Sequence, residues 1–431
     1  MRVRFHAVML LLTLLVLAGG VGGGLFFWEK WHVPLTPDEV ASARTWFGIC
    51  AAVAAVAAVG SLLLAWRAVR SAGGFRLGWT AITVLWGGAL AAGVVTMDGY
   101  HWSLRIAHLP SMNDLPVDST DYTIEKLPFA FRASYVRGRD VYFSNAADEL
   151  LRADDADPGG SLRVVGRHGI DAASMLHVSG RGTIFVSGRG GFARSGDGGV
   201  TWARPLGDWS CWRMAEDPRS GTLFVGTYVW PKSLDRPATL FRSDDDGVTW
   251  ELLWRDPRLH HVHSIAVDAA TGRLFLSTGD TPSKGHGYSD DGGRTWRWLM
   301  TGDKQAHTDV AVSGDYVFWG SDDRLGRIIR TSRVDPDAGR ALISARHHNI
   351  WFLVAEGEQV YAGTFLEFEE GISPVLVVSH DHGCTWQKLL AGSDVAEGAR
   401  ALDACSRRLS DAGWLYFTVG GKHGFRVRRN R

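Results

Sequence analysis

Ser195-Gly-Asp197-Gly-Gly199-Val-Thr201-Trp202 returns as Ser243-Asp-Asp245-Asp-Gly247-Val-Thr249-Trp250, as Ser289-Asp-Asp291-Gly-Gly293-Arg-Thr295-Trp296 and as Ser379-His-Asp381-His-Gly383-Cys-Thr385-Trp386. The shared octet is S-x-D-x-G-x-T-W, and its starts are 48, 46 and 90 residues apart, the last being two steps of 45. Degenerate copies are expected near 334, at TSRVDPDAG, and near 150, at LLRADDADPGG. Each residue type has a reason to be in a hairpin loop. The glycine takes a left-handed backbone, the aspartate accepts hydrogen bonds from loop N–H groups, and the tryptophan anchors the loop between sheets. A period near 45 is that of a four-stranded propeller blade.

Between the octets one strand recurs: Thr183-Ile-Phe-Val-Ser, Thr222-Leu-Phe-Val-Gly, Arg273-Leu-Phe-Leu-Ser, Tyr316-Val-Phe-Trp-Gly, Gln359-Val-Tyr-Ala-Gly and Trp414-Leu-Tyr-Phe-Thr, with Asp140-Val-Tyr-Phe-Ser as a seventh copy. Seven copies predict an all-β, seven-bladed propeller over residues 121–431. The chain ends soon after the last copy, so that blade lacks a fourth strand. Tyr122-Thr-Ile-Glu-Lys-Leu127 has no other partner and is expected to supply it, closing the ring and removing free sheet edges.

The octet resembles the Asp-box, or BNR, repeat of the sialidase-like β-propeller superfamily. The resemblance covers roughly 121–431 and implies that Asp197, Asp245, Asp291 and Asp381, with Trp202, Trp250, Trp296 and Trp386, are scaffold. It also implies that the octets lie on the face opposite the functional one. Sialidase activity itself is not expected: the nearest string to that family's F/Y-R-I-P is Phe131-Arg132-Ala133-Ser134, and sialidases of this superfamily have six blades. Seven-bladed relatives include xyloglucan-type hydrolases and photosystem assembly factors, and propeller-shaped polysaccharide lyases use histidine and a metal. The resemblance therefore spans enzymes and binding proteins.

Residues 7–28, 47–65 and 77–97 carry no charge. Each is long enough to cross a hydrocarbon core of about 30 Å as a helix. Arg2 and Arg4 precede the first run, and Arg67, Arg70 and Arg76 lie between the second and third. The positive-inside rule then puts the N-terminus and the 66–76 loop in the cytoplasm and everything after Met97 outside. A cleaved signal peptide is the alternative for the first run and leaves the large domain on the same side. The expected organisation is a three-helix transmembrane anchor over 1–97, a linker over 98–120 and an extracytoplasmic propeller over 121–431. With no charge inside the runs, proton or ion transport has no candidate group.

Composition narrows the partners. Lys+Arg and Asp+Glu are 46 each, which removes a chain-wide electrostatic case for nucleic-acid binding. Only 7 of the 46 basic residues are lysine, a bias typical of GC-rich bacteria that points to a bacterial inner membrane. Four cysteines exclude a disulfide-dense scaffold.

Candidate site residues are those just before the inner strands and just after the recurrent strand. In blades four to six these positions are unusually polar. Before the inner strands stand His260, His261 and His263, then His307 and Asp309, then His347, His348 and Asn349. After the recurrent strands stand Asp280, then Asp322 and Asp323, then Glu367, Glu369 and Glu370. His263, His307, Asp309, Asp280 and Asp322 are candidate catalytic groups, with imidazole or carboxylate serving proton transfer on a sugar. His261, His263 and His307 are candidate ligands for a divalent metal, with Asp280 or Asp322 orienting a ring. Arg189, Tyr228, Trp230, His348 and Glu367 are candidate substrate contacts, since the aromatic loop Tyr228-Val-Trp230 suits stacking on sugars. The function expected is binding or processing of a cell-envelope or exported polysaccharide. The alternative is a non-enzymatic assembly factor that docks a membrane protein partner.

Overall fold

A computed structural model describes residues 109–228, 236–279, 285–299, 307–322, 326–337, 339–345, 348–366, 372–404 and 406–430. The three uncharged runs lie outside the described residues. Among the described ones no helix is long and apolar enough to cross a membrane. The chain divides into two compact units, Met1–Leu109 and Pro110–Arg431.

The second unit is a ring of seven antiparallel sheets. Blade one is Ala133–Arg137, Asp140–Ser144, Glu149–Asp154 and Arg163–Arg167. Blade two has three strands, Met175–Val178, Ile184–Gly188 and Gly191–Ser195, and an isolated bridge between Arg194 and Ala203 where a fourth would lie. Blades three to six open on the inner strands Cys211–Glu216, His261–Val267, His307–Ser313 and His348–Glu356. Blade seven is Leu402–Asp403, Leu415–Val419 and His423–Arg429, with Tyr122–Lys126 as its outermost strand. Tyr122 pairs with Arg429 and Lys126 with Phe425, so the N-terminal segment closes the ring as expected from sequence.

Every copy of the recurrent strand is the second strand of its blade, and its apolar residues are almost wholly buried. Neighbouring blades share their cores: Phe185 and Phe192 of blade two meet the Trp250 ring of blade three edge-on, at 6.4 and 5.6 Å. Residues 110–118, at the end of the expected linker, run along the outer strands of blades five and six. Met112 N–H donates to the Ser344 carbonyl at 2.7 Å, and Asp118 N–H to that of Lys388 at 2.8 Å. They cover two sheet edges that would otherwise be open.

The four octets build one loop four times, each after the third strand of its blade. In the first, the Asp197 carboxylate accepts from Ser195 Oγ at 2.8 Å, Thr201 N–H at 2.9 Å and Thr201 Oγ1 at 2.5 Å. Trp202 Nε1 donates to the Gly199 carbonyl at 3.0 Å. Asp245, Asp291 and Asp381 repeat these bonds. Gly199 has φ +100°, and a Cβ there would lie 2.5 Å from Leu150, which explains the glycine on two counts. With antiparallel strands, a loop after the third strand lies opposite the face where inner strands begin. The described candidate residues therefore share the other face, as the order of strands predicts.

Candidate functional site at the channel mouth

Inner strands of blades three to six each carry a β-bulge near their first residues. The pairing skips Trp212 between Cys211 and Arg213, His263 between Val262 and Ser264, Thr308 between His307 and Asp309, and Trp351 between Ile350 and Phe352. The inner strands of blades one, two and seven pair without a shift. A bulge inserts one residue and re-aims its side chain. Here three of the four extra residues are aromatic or imidazole, and they meet at the mouth of the central channel.

Trp212 of blade three and Trp351 of blade six come together edge-to-face with centroids 4.9 Å apart, although two blades separate them along the ring. Tyr228 lies 4.6 Å from Trp212, and Phe365 lies 4.6 Å from Trp351. His261 stacks on Tyr228 at 4.2 Å, and His263 meets Trp212 edge-on at 5.5 Å. The mouth is an aromatic platform backed by two imidazoles.

The hydrogen bonds fix one proton of that pair. His263 Nδ1 lies 3.0 Å from the His307 carbonyl, which can only accept, so Nδ1 carries the proton. With the ring neutral, His263 Nε2 accepts from His261 Nε2, 3.0 Å away. Asp322 Oδ2 stands 3.7 Å from His263 Nδ1, and its other oxygen accepts from Asn349 Nδ2 at 2.7 Å. His263 also rests on bare backbone: a Cβ at Gly279 would lie 1.9 Å from its Cε1. Ring, carboxylate and glycine thus come from blades four and five, with Asn349 from blade six.

Below the mouth lies a buried ionic network. Asp309 is fully buried and accepts from Ser264 Oγ at 2.7 Å, Val310 N–H at 3.0 Å and Leu353 N–H at 2.7 Å, and it pairs with Arg407. Burial pushes its carboxyl up to about 6, while Arg213 pulls the other way. Burial likewise raises Asp403, which Trp351 hydrogen-bonds and Arg213 attracts. Arg213 itself is 5% exposed, and its guanidinium carbon lies 5.1 Å from the Trp212 centroid.

The sequence candidates divide accordingly. His261, His263, Tyr228 and Asp322 converge at the mouth. His348 starts the inner strand of blade six and is fully buried. His307 supplies its carbonyl, but its ring turns to His286 at 4.2 Å and Trp319 at 5.8 Å. Burial holds His307 well below an ordinary imidazole, with His286 and Arg327 adding to the effect, and burial takes His286 down to about 3. The metal reading of His261, His263 and His307 is not matched by the geometry. Among the described residues no group of three His, Cys, Asp or Glu side chains is placed to hold an ion, because the His307 ring faces the blade core. Asp309 tethers the inner strands of blades four to six to Arg407. Arg189 is exposed on blade two, 3.8 Å from Asp171. Trp230, Asp280 and Glu367 lie outside the described residues. Trp212, Trp351, Phe365 and Arg213 were not among the candidates: on a strand they read as ordinary core residues, and only ring closure and the bulges bring them together.

No family model matches the chain, and no curated protein matches it in sequence. Solved structures match its fold. A catalytically inactive virginiamycin B lyase from Staphylococcus aureus with quinupristin is similar with TM-score 0.54 at 11% identity, over 71% of this chain and 99% of that one. An ancestral GH74 enzyme is similar with TM-score 0.51 at 14% identity, over 72% of this chain and 45% of that one. YCF48 bound to D1 peptide gives TM-score 0.50 at 12% identity, over 75% and 99%. At these identities the likeness is one of fold: a seven-bladed β-propeller whose neighbours include glycoside hydrolases and a lyase.

Proposed function

We propose that this chain is a membrane-anchored, extracytoplasmic propeller of the sialidase-like Asp-box type that binds or processes a cell-envelope or exported polysaccharide at the channel mouth of blades three to six. The observation that carries this reading is the aromatic platform of Trp212, Tyr228, Trp351 and Phe365 beside the His261–His263 pair. Flat rings stack on sugar faces, while nearby imidazole and carboxylate groups select hydroxyls and can move protons. The uncharged runs at 7–28, 47–65 and 77–97, with arginines on one side, support a membrane anchor with the propeller on the outer side of a bacterial inner membrane. The repeated octet bonding supports the Asp-box assignment.

The test is a glycan array probed with the full-length protein in detergent, beside affinity purification of the same protein from membranes. Saturable glycan binding that is lost in Trp351→Ala supports the proposal. A stoichiometric membrane protein partner that survives Trp351→Ala, with no glycan bound, replaces it with the assembly-factor reading.

A further inference from the structure

We infer that the polysaccharide is acidic, and that the carboxylate of a uronic-acid-type residue enters the channel mouth to pair with Arg213. This rests on the polysaccharide reading above and narrows it to a substrate class.

Arg213 is almost fully buried, yet its Nη1 bonds only the adjacent Trp212 carbonyl, at 2.9 Å. Its Nε and Nη2 are buried and have no hydrogen-bond partner. Those two nitrogens form one edge of the guanidinium, the edge that takes both oxygens of a carboxylate side-on. A buried charge with two idle donors is costly, so native proteins rarely leave one without an occupant. Asp309 and Asp403 balance the charge of Arg213 through space, but neither hydrogen-bonds this edge. Asp309 is committed to Ser264, Val310, Leu353 and Arg407. Asp403 bonds Trp351 and leaves Oδ1 idle.

The same network leaves one more donor unused, Arg407 Nη2. Three idle donors against one idle acceptor describe the complement of a ligand. It must offer a carboxylate and a hydroxyl: the carboxylate to the arginines, the hydroxyl proton to Asp403. A uronic acid carries both on one ring. A neutral sugar offers hydroxyls alone and leaves the Arg213 edge half-answered. Position agrees in distance: the Arg213 guanidinium carbon lies 5.1 Å from the centroid of the Trp212 ring, which forms the platform with Trp351. A sugar bound beside that ring, rather than stacked over it, would bring its carboxylate to Arg213.

The experiment titrates the full-length protein in detergent with paired glycans: oligogalacturonate, oligoglucuronate and alginate oligomers, each beside its carboxyl-reduced, neutral counterpart. The expected result is that at least one acidic member binds roughly a hundredfold more tightly than its reduced partner, the scale set by leaving a buried charge unpaired. Arg213→Gln abolishes the discrimination, and Arg213→Lys, which keeps the charge without the fork, restores only part of it. Equal affinity for acidic and reduced forms, with both lost in Trp351→Ala, overturns the acidic class while the platform reading stands; buried water then fills these positions. No binding of any member overturns both. Should Arg213→Gln fail to fold, the wild-type comparison of paired glycans still decides.

Discussion

Gly279 and His263 show how one residue sets the site. His263 is held by the His307 carbonyl, by His261 and by the space that Gly279 leaves open. In Gly279→Ala the new methyl occupies the position of the imidazole, so the ring must leave the mouth. The expected outcome is at least a tenfold loss of glycan affinity by calorimetry, with a far-UV spectrum unchanged; affinity equal to wild type would mean that His263 takes no part. The sequence treats His263 and His307 alike, but the structure separates them. His307→Ala removes a ring packed on Trp319 and is expected to lower the melting temperature. His263→Ala, equally buried, is expected to lower it as well and, unlike His307→Ala, to abolish binding.

Buried imidazoles also set the response to pH. His168 is pushed by burial to about 4 and His286 to about 3, while His307 lies well below its ordinary value. Unfolded, each binds a proton near pH 6.5. As pH falls below about 6.5 the unfolded chain therefore binds more protons, and stability drops. Asp309, raised to about 6, works the other way between about 3.8 and 6, and the raised Asp403 joins it. Three histidines outweigh two carboxyls, so the urea midpoint is expected to be lower at about pH 5 than at about pH 7. A midpoint that rises on acidification would mean that the carboxyls dominate.

At the scale of the element, the octet and the bulge are opposites in legibility. The octet is written in consecutive residues, so Asp245, Gly247 and Trp250 announce their loop without help from the rest of the chain. Trp250→Ala removes the ring that meets Phe185 and Phe192 and the bond from Nε1 to the Gly247 carbonyl, 3.1 Å. Its expected cost is about 3 kcal/mol by denaturant unfolding, in the range for a large aromatic in a core. A change below about 0.5 kcal/mol, typical of surface positions, would deny the octet its scaffold role. The bulges have no such signature. A one-residue slip reverses which side of a strand faces the channel, and nothing in Cys211-Trp-Arg or Ile350-Trp-Phe marks where the slip occurs. For that reason the polar strand starts of blades four to six and Tyr228 were readable, whereas Trp212, Trp351 and Phe365 of the platform were not.

For the whole molecule, closure is the controlling feature. The blade count and the partner of Tyr122–Lys126 follow from counting strands, and both match the observed ring. Trp212 and Trp351 lie 139 positions apart in the chain (351 − 212) and on non-adjacent blades, so their contact exists only because the ring closes. Thr123→Pro sits in the closing strand, opposite Arg428, and removes a ladder donor there. It is expected to destabilise the propeller by about 3 kcal/mol and to weaken glycan binding per molecule as the mouth loosens, measured by thermal unfolding and titration in parallel. Unchanged melting would mean that the ring is held shut without this strand.

The central claim is that the channel mouth, and not the octet face, is where this protein meets its ligand. The most direct measurement is the affinity of full-length wild type, Trp351→Ala and Trp250→Ala for the best-binding glycan, by isothermal titration at a temperature where all three are folded. The account predicts at least a tenfold loss for Trp351→Ala, one stacking contact's worth, and wild-type affinity for Trp250→Ala. Wild-type affinity in Trp351→Ala, or a loss confined to Trp250→Ala, would contradict it.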